Sequence, residues 1–307
     1  MSVHTISFVS ASGGAGKTLF SILTAGALAI KGKKVLLIDM DPSASATLYL
    51  LDKYVEDCNL QALLKNLVDY KQGRTARRMD VGDCLTRHRV AGAEAASFDL
   101  LPGGNLSDIQ SEVFQVSGWN RLMADLVAPI ESRYDYVIVD SPNWLFPLFP
   151  MTVGLSSLYV VMTRPGKSEI EKTKVFLQRV FAVMDRQFGI AQPQIYALVV
   201  LNQIKQIAKA DEVEQEGKAT YDELSKEFPG IKFAHSDKKA KYYGEKETAF
   251  WGLKYYEDLR LDSYKQNGHV LVSSKVREEK PKLQFRAYLE LFTKFVEETA
   301  VYERLVE

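Results

Sequence analysis

The stretch VHTISFVSASGGAGKTLFSILTAGALAI, residues 3–30, decides how this chain folds. Its first eight residues, Val3 to Ser10, have the β-branched and aromatic content of a strand. Gly13, Gly14 and Gly16 follow, where the chain must turn sharply. Thr18 to Ile30, dense in Ala and Leu, predicts a helix. A strand, a glycine turn and a helix in thirty residues is the opening of a βαβ unit.

The same alternation continues outward. Lys33 to Asp39 (KKVLLID) and Tyr134 to Asp140 (YDYVIVD) are nearly unbroken apolar runs, as expected of strands buried on both faces. Leu155 to Thr163 and Ile195 to Asn202 read the same way, and Phe98 to Leu101 is a short strand stopped by Pro102-Gly103-Gly104. Leu60 to Tyr70 carries a helical stripe of Leu60, Leu63, Leu64, Leu67 and Val68. Trp119 to Ser132, Glu169 to Phe188 and Phe285 to Val306 are further helices, the last with Tyr288, Leu291, Phe292 and Phe295 on one face. The expected fold class is α/β: a mostly parallel, doubly wound sheet with helices on both faces. We expect a single domain over 1–307. Residues 205–256, rich in Lys and Glu without strict apolar spacing, are expected to form a mostly helical elaboration or insertion.

Composition bounds the function. Of 307 residues, 46 % are apolar and 25 % charged, ordinary for a globular protein. Lys plus Arg and Asp plus Glu both number 39, so an anionic partner must be met by a local patch and not by the whole-protein field. No apolar run approaches the roughly 20 residues of a membrane span, and the N-terminus does not read as a signal peptide. The two cysteines, Cys58 and Cys84, stand in unrelated contexts, so neither a zinc site nor a disulfide is indicated and the expected location is the cytoplasm.

The chemistry lies in the first turn. Ser12-Gly13-Gly14-Ala15-Gly16-Lys17-Thr18 fits the phosphate-cradling pattern GxxxxGK[ST] once its first Gly is relaxed, in the required strand–loop–helix setting. The glycines let backbone N–H groups approach phosphate oxygens, and the helix N-terminus adds positive charge. Lys17 would neutralise β- and γ-phosphate charge, and Thr18 would offer a hydroxyl to Mg²⁺. Asp39-Met40-Asp41-Pro42 ends the second strand run, where acids face the ligand crevice of an open α/β sheet. One acid can hold Mg²⁺-bound water and the other can orient an attacking water. Asp140 closes the run Tyr136 to Val139 and is placed to reach the same metal ion.

With these residues in hand, GGAGKT, LLIDMDPSASAT and YDYVIVDSPNW resemble the ParA/MinD (Soj-like) group of deviant Walker A P-loop ATPases, from Val3 to about Asn202. The resemblance implies a protein that binds ATP and Mg²⁺ and slowly hydrolyses the nucleotide. It implies a homodimer that forms with ATP and positions a cargo (plasmid, chromosome or protein assembly) through non-specific DNA and a stimulating adaptor protein, in association with the nucleoid. Carried over residue by residue, Lys17 and Asp41 are the catalytic pair. Gly13, Gly14, Ala15, Gly16, Lys17, Thr18 and Leu19 bind nucleotide, with Asn202 on adenine. Thr18, Asp39 and Asp140 surround the metal ion.

Two positions depart from the group. Ser12 replaces the signature lysine that reaches across the dimer, and Arg164 or Lys167 in TRPGKSE is the candidate substitute. Leu19 replaces a common Thr or Ser, which removes a hydroxyl contact to the α-phosphate. Glu297, Glu298, Glu303 and Glu307 against Arg304 do not make the basic amphipathic helix of a membrane anchor. Candidate DNA contacts are Lys71, Arg74, Arg77, Arg78, Arg87 and Arg89, and Lys238, Lys239 and Lys241. Two other classes stay open: a P-loop metabolic ligase of the dethiobiotin-synthetase type, and a nucleotide-dependent adaptor with little turnover.

Overall fold

A computed structural model describes residues 3–156, 158–164, 166–189, 196–204, 219, 222–224, 226–228, 252–254, 260–273 and 279–306. The chain divides into two compact units, Met1–Phe8 with Thr18–Ser157, and Val9–Lys17 with Leu158–Glu307.

The first unit contains strands β1 (His4–Val9), β2 (Val35–Asp39), β3 (Thr86–Val90), β4 (Ala93–Leu101) and β5 (Tyr136–Asp140). They lie in the order β3-β4-β2-β5-β1. All neighbours are parallel except β3 and β4, which form a hairpin turned at Gly92, φ 83°. Every residue of β2 and of β5 is buried, which is why both runs lack polar alternation. The helices are α1 (Lys17–Ile30), α2 (Ser45–Leu51), α3 (Leu60–Lys71), α4 (Gln110–Phe114), α5 (Leu122–Glu131) and α6 (Phe149–Leu155). In α1 every residue from Phe20 to Ala29 is buried, so small Ala and Gly side chains suit it. Helix α3 is capped by Asn59, whose Oδ1 accepts from Ala62 N at 2.8 Å, and buries the expected leucine stripe. That stripe joins Leu36, Ile38, Val137, Val139, Leu126 and Ile130 in one apolar core.

The second unit contains β6 (Leu158–Thr163), β7 (Tyr196–Ile204) and β8 (Gly252–Lys254), paired in parallel in that order. Its helices are α7 (Lys167–Val183), followed by a π-turn over Met184–Phe188, α8 (Leu261–Asn267) and α9 (Glu279–Val306). Tyr288, Leu291, Phe292 and Phe295 of α9 are buried, as their spacing implied.

The α/β, mostly parallel architecture agrees with the sequence. Four local readings are corrected. Arg87 and Arg89 lie on β3, a strand whose outward arginines hide its period in a basic stretch. Trp119–Arg121 is a separate 3-10 turn before α5. Leu155 ends a helix, and the strand begins only at Leu158. Cys58 and Cys84, 26 residues apart, are joined in a disulfide with Cα atoms 4.9 Å apart, because the turn at Val81–Cys84 packs beside the segment leading into α3. In segment 205–256, expected to be mostly helical, residues 222–224 and 226–227 are helical while β8 is a strand, and most of the remaining residues lie outside those described.

Candidate functional site

Loop 10–17 continues directly from β1. Gly14 and Gly16 adopt φ of 70° and 103°, values open to glycine, and a Cβ on Gly13 or Gly14 would meet nothing within 4 Å. The loop's open side is therefore free for a ligand to approach the backbone. Lys17 Nζ donates to Ser10 Oγ at 3.2 Å, and Ser10 Oγ donates to the Ser12 carbonyl at 2.8 Å. The end of β7 pins the loop from behind: Asn202 Nδ2 donates to Ala15 O at 2.9 Å and Gln203 Nε2 to Gly14 O at 2.7 Å. Asn202 thus holds the loop here. Gln203, at φ 62°, was not singled out in the sequence, where it is one more polar residue after a strand.

Ser12, in the same unit, is half-buried, with its hydroxyl oxygen shielded from solvent. Its hydroxyl lies against the Glu169 carboxylate without meeting the geometry of a full hydrogen bond. Glu169, in the first turn of α7, pairs with Lys172 at 2.8 Å and with Arg164 Nη2 at 3.4 Å. Lys172, then Ser12 and Arg164, hold its carboxyl below the ordinary range against the opposing effect of burial. Arg164 Nε is buried with no hydrogen-bond partner among the described residues.

The acids belong to the first unit. Asp39 and Asp140 are register partners at the ends of β2 and β5, and both are fully buried. Asp140 is also the partner of Phe8, at the end of β1, and its carbonyl accepts from Met40 N at 2.9 Å. Asp39 Oδ2 accepts from Thr47 N at 2.7 Å and Thr47 Oγ1 at 2.8 Å, and its Oδ1 from Asp41 N at 3.3 Å. Burial pushes its carboxyl up to about 6. The Thr47 bonds oppose that rise and the nearby Asp41 charge adds to it. Thr47 Oγ1 in turn accepts from Gly103 N at 2.7 Å. A Cβ on Gly103 would fall 2.9 Å from Asp39 Cγ and 3.0 Å from Asp39 O, so only glycine fits. Pro102-Gly103-Gly104, read from the sequence as a strand stop, is thus part of the acid's support. Asp41 is partly exposed, and its Oδ1 accepts from Ser43 N at 2.9 Å and Ser43 Oγ at 2.6 Å. Its Oδ2 takes no hydrogen bond among the described residues.

The Thr18 hydroxyl with the Asp39 and Asp140 carboxylates is an all-oxygen set, which suits a hard divalent cation. Both Asp39 oxygens already accept protein hydrogen bonds, so Asp39 is better placed to act through a metal-bound water than as a direct ligand. Among the described residues no group of three or more His, Cys, Asp or Glu is placed to hold a metal ion.

A family described as an AAA domain (AAA_31) matches residues 3–188. The chain belongs to that family. Within it the resemblance to ParA/MinD P-loop ATPases holds. Maintenance of carboxysome distribution protein A of Synechococcus elongatus is 26 % identical over 160 residues, 51 % of this chain and 56 % of the relative. Sporulation initiation inhibitor protein Soj of Bacillus subtilis is 34 % identical over 141 residues, 45 % and 49 % of the two chains. The chain spans about half the length of these curated relatives. Among solved structures, apo McdA of Cyanothece superposes with a TM-score of 0.68 at 17 % identity, over 95 % of this chain and all of that one. That likeness shows the P-loop NTPase fold. Two further chains of this fold were solved with ATP and with an ATP analogue and magnesium.

Proposed function

We propose that this AAA-family chain is a ParA-like partition ATPase that binds ATP with Mg²⁺, hydrolyses it slowly, dimerises with ATP and positions a cargo along DNA. The observation that carries the reading is the loop 10–17 itself. It is braced by two side-chain amides from β7, with Lys17 at its end, and its glycines leave the backbone open to phosphate. Backbone N–H groups of Gly13 to Thr18 would bind the phosphates, and Leu19 would contribute only its N–H. Thr18, Asp39 and Asp140 would hold Mg²⁺, which would supply charge neutralisation to the nucleotide phosphates. Asp41, partly exposed and with one carboxylate oxygen uncommitted among the described residues, would orient the attacking water and accept its proton.

Arg164 is the better substitute for the cation that Ser12 lacks, since Glu169 ties its guanidinium to the Ser12 neighbourhood. Lys167 stands at the start of α7 without an ion pair among the described residues. An adaptor that stimulates hydrolysis completes the proposed cycle.

The test is a comparison of wild type, Lys17→Ala, Asp41→Ala and Arg164→Ala. Lys17→Ala should lose tight ATP binding. Asp41→Ala should bind ATP, barely hydrolyse it and sediment as a dimer. Arg164→Ala should bind ATP as a monomer and dimerise poorly. Parent-rate hydrolysis by Asp41→Ala, or turnover that requires a small organic co-substrate, would overturn the reading. The second outcome would instead point to a ligase.

A further inference from the structure

The basic stretch 71–89 is a weak candidate for meeting DNA, because much of it is paired internally. Lys71 bonds Asp125 at 2.6 Å, Arg74 bonds Asp69 at 2.5 Å, and Arg78 donates to the Asp125 carbonyl at 2.5 Å. A different concentration of cations lies at the opposite ends of the strands that carry the acids. Lys33 and Lys34 immediately precede β2, Arg133 and Tyr134 precede β5, and Arg87 comes from the β3–β4 hairpin. Together they line an open cavity of about 290 Å³.

Four cations line this cavity and Asp99 is its one carboxylate. Both Asp99 oxygens are already used. Arg87 Nε approaches Oδ1 at 3.3 Å, and Tyr134 Oη donates to Oδ2 at 2.8 Å. Arg87 also donates to Ser97 Oγ at 3.2 Å, which fixes its guanidinium while leaving the side chain 63 % exposed. Both Arg87 and Arg133 are close enough to lower the affinity of the Tyr134 hydroxyl for its proton, against the larger effects of burial and Asp99. The Asp135 carboxylate accepts the backbone N–H of Lys34 at 2.8 Å, so that bond does not draw the Lys34 ammonium inward. Lys33, Lys34 and Arg133 form no ion pair among the described residues. Arg89, two residues from Arg87 on the same exposed face of β3, extends the row.

In a chain of zero net charge, a concave edge with this local excess is suited to phosphates. The row of cations along a strand edge suits a repeating phosphodiester more than one small anion. We propose that this edge, formed by Lys33, Lys34, Arg87, Arg89 and Arg133, binds the sugar–phosphate backbone of duplex DNA. The proposal rests on the DNA-dependent reading above and gives it a location. Strands β2 and β5 have five residues each and the edge residues precede them, so the edge lies more than about 13 Å along the strands from Asp39 and Asp140. DNA seated here would leave those acids unobstructed.

The experiment measures binding of a labelled 30-bp duplex by fluorescence anisotropy, with a non-hydrolysable ATP analogue, between about 50 and 200 mM salt. Wild type is compared with Lys33→Gln/Lys34→Gln/Arg133→Gln, with the milder Lys33→Gln/Lys34→Gln, and with Lys71→Gln/Arg74→Gln/Arg78→Gln. Each lost phosphate contact removes about 0.9 from the slope of log K against log salt. The triple edge variant should therefore flatten the slope by about 2.7 and weaken binding by roughly two orders of magnitude at 0.1 M salt. The double variant should flatten it by about 1.8. Basal ATPase activity and circular dichroism should not change in either. The 71–78 variant should match wild type. If wild type binds DNA and both edge variants bind with the same slope, the location is wrong and the DNA reading stands. If wild type does not bind DNA at all, both fall.

Discussion

Asp39→Asn should reverse part of a stability penalty carried by the nucleotide-free protein, and the penalty depends on pH. Asp39 is fully buried and its carboxyl is raised from an ordinary 3.8 to about 6. A raised acid favours the folded state when protonated, so its stabilising contribution is fully present below about pH 3.8. That contribution is lost as pH rises through about 6. A shift of about 2 units corresponds to about 3 kcal/mol in total, of which about 2.5 kcal/mol is lost between pH 4 and pH 7.5. Asparagine cannot ionise, and its amide oxygen can still accept from Thr47 N and Thr47 Oγ1. The difference in unfolding free energy, Asn variant minus wild type, should therefore rise by about 2.5 kcal/mol across that interval. The assay is urea unfolding at several pH values without nucleotide or magnesium. Parallel stability curves for the two proteins would refute the argument, because Asp39 would then titrate alike folded and unfolded. The variant should also lose Mg²⁺-dependent ATP hydrolysis, which separates this acid's functional role from its cost to the fold.

Other outcomes follow from the same contacts. Gly103→Ala places a methyl 2.9 Å from Asp39 Cγ; it should cost about 1–3 kcal/mol in unfolding free energy and weaken Mg²⁺-dependent ATP binding more than Mg²⁺-free binding. Asn202→Ala/Gln203→Ala removes both bonds that brace Ala15 and Gly14. At about 1 kcal/mol each, ATP affinity by calorimetry should fall roughly ten- to thirtyfold, and unchanged affinity would show that the loop holds its shape alone. Reducing the Cys58–Cys84 bond, which closes a loop of 26 residues, should lower unfolding free energy by about 3 kcal/mol in a paired melt with and without reductant.

The sequence alone determined the α/β class, because unbroken apolar strands such as Val35–Asp39 and an Ala-rich α1 report burial on both faces directly. It also located the loop and the two strand-end acids, since those depend on short-range order: a strand, then glycines, then Lys17 and Thr18. Only the tertiary structure decided what supports them. Thr47, Gly103 and Gln203 act through contacts with partners 8, 64 and 189 residues away in the chain. No local periodicity encodes such pairings. The hairpin strand Thr86–Val90 was hidden because its exposed arginines obscure the alternation that marks a half-buried strand. The disulfide was hidden because a sequence separation of 26 says nothing about whether two cysteine Cα atoms come within 4.9 Å. The cationic edge at Lys33, Lys34, Arg87 and Arg133 was scattered over a hundred residues of sequence. It became one surface because parallel strands bring the starts of β2 and β5 side by side.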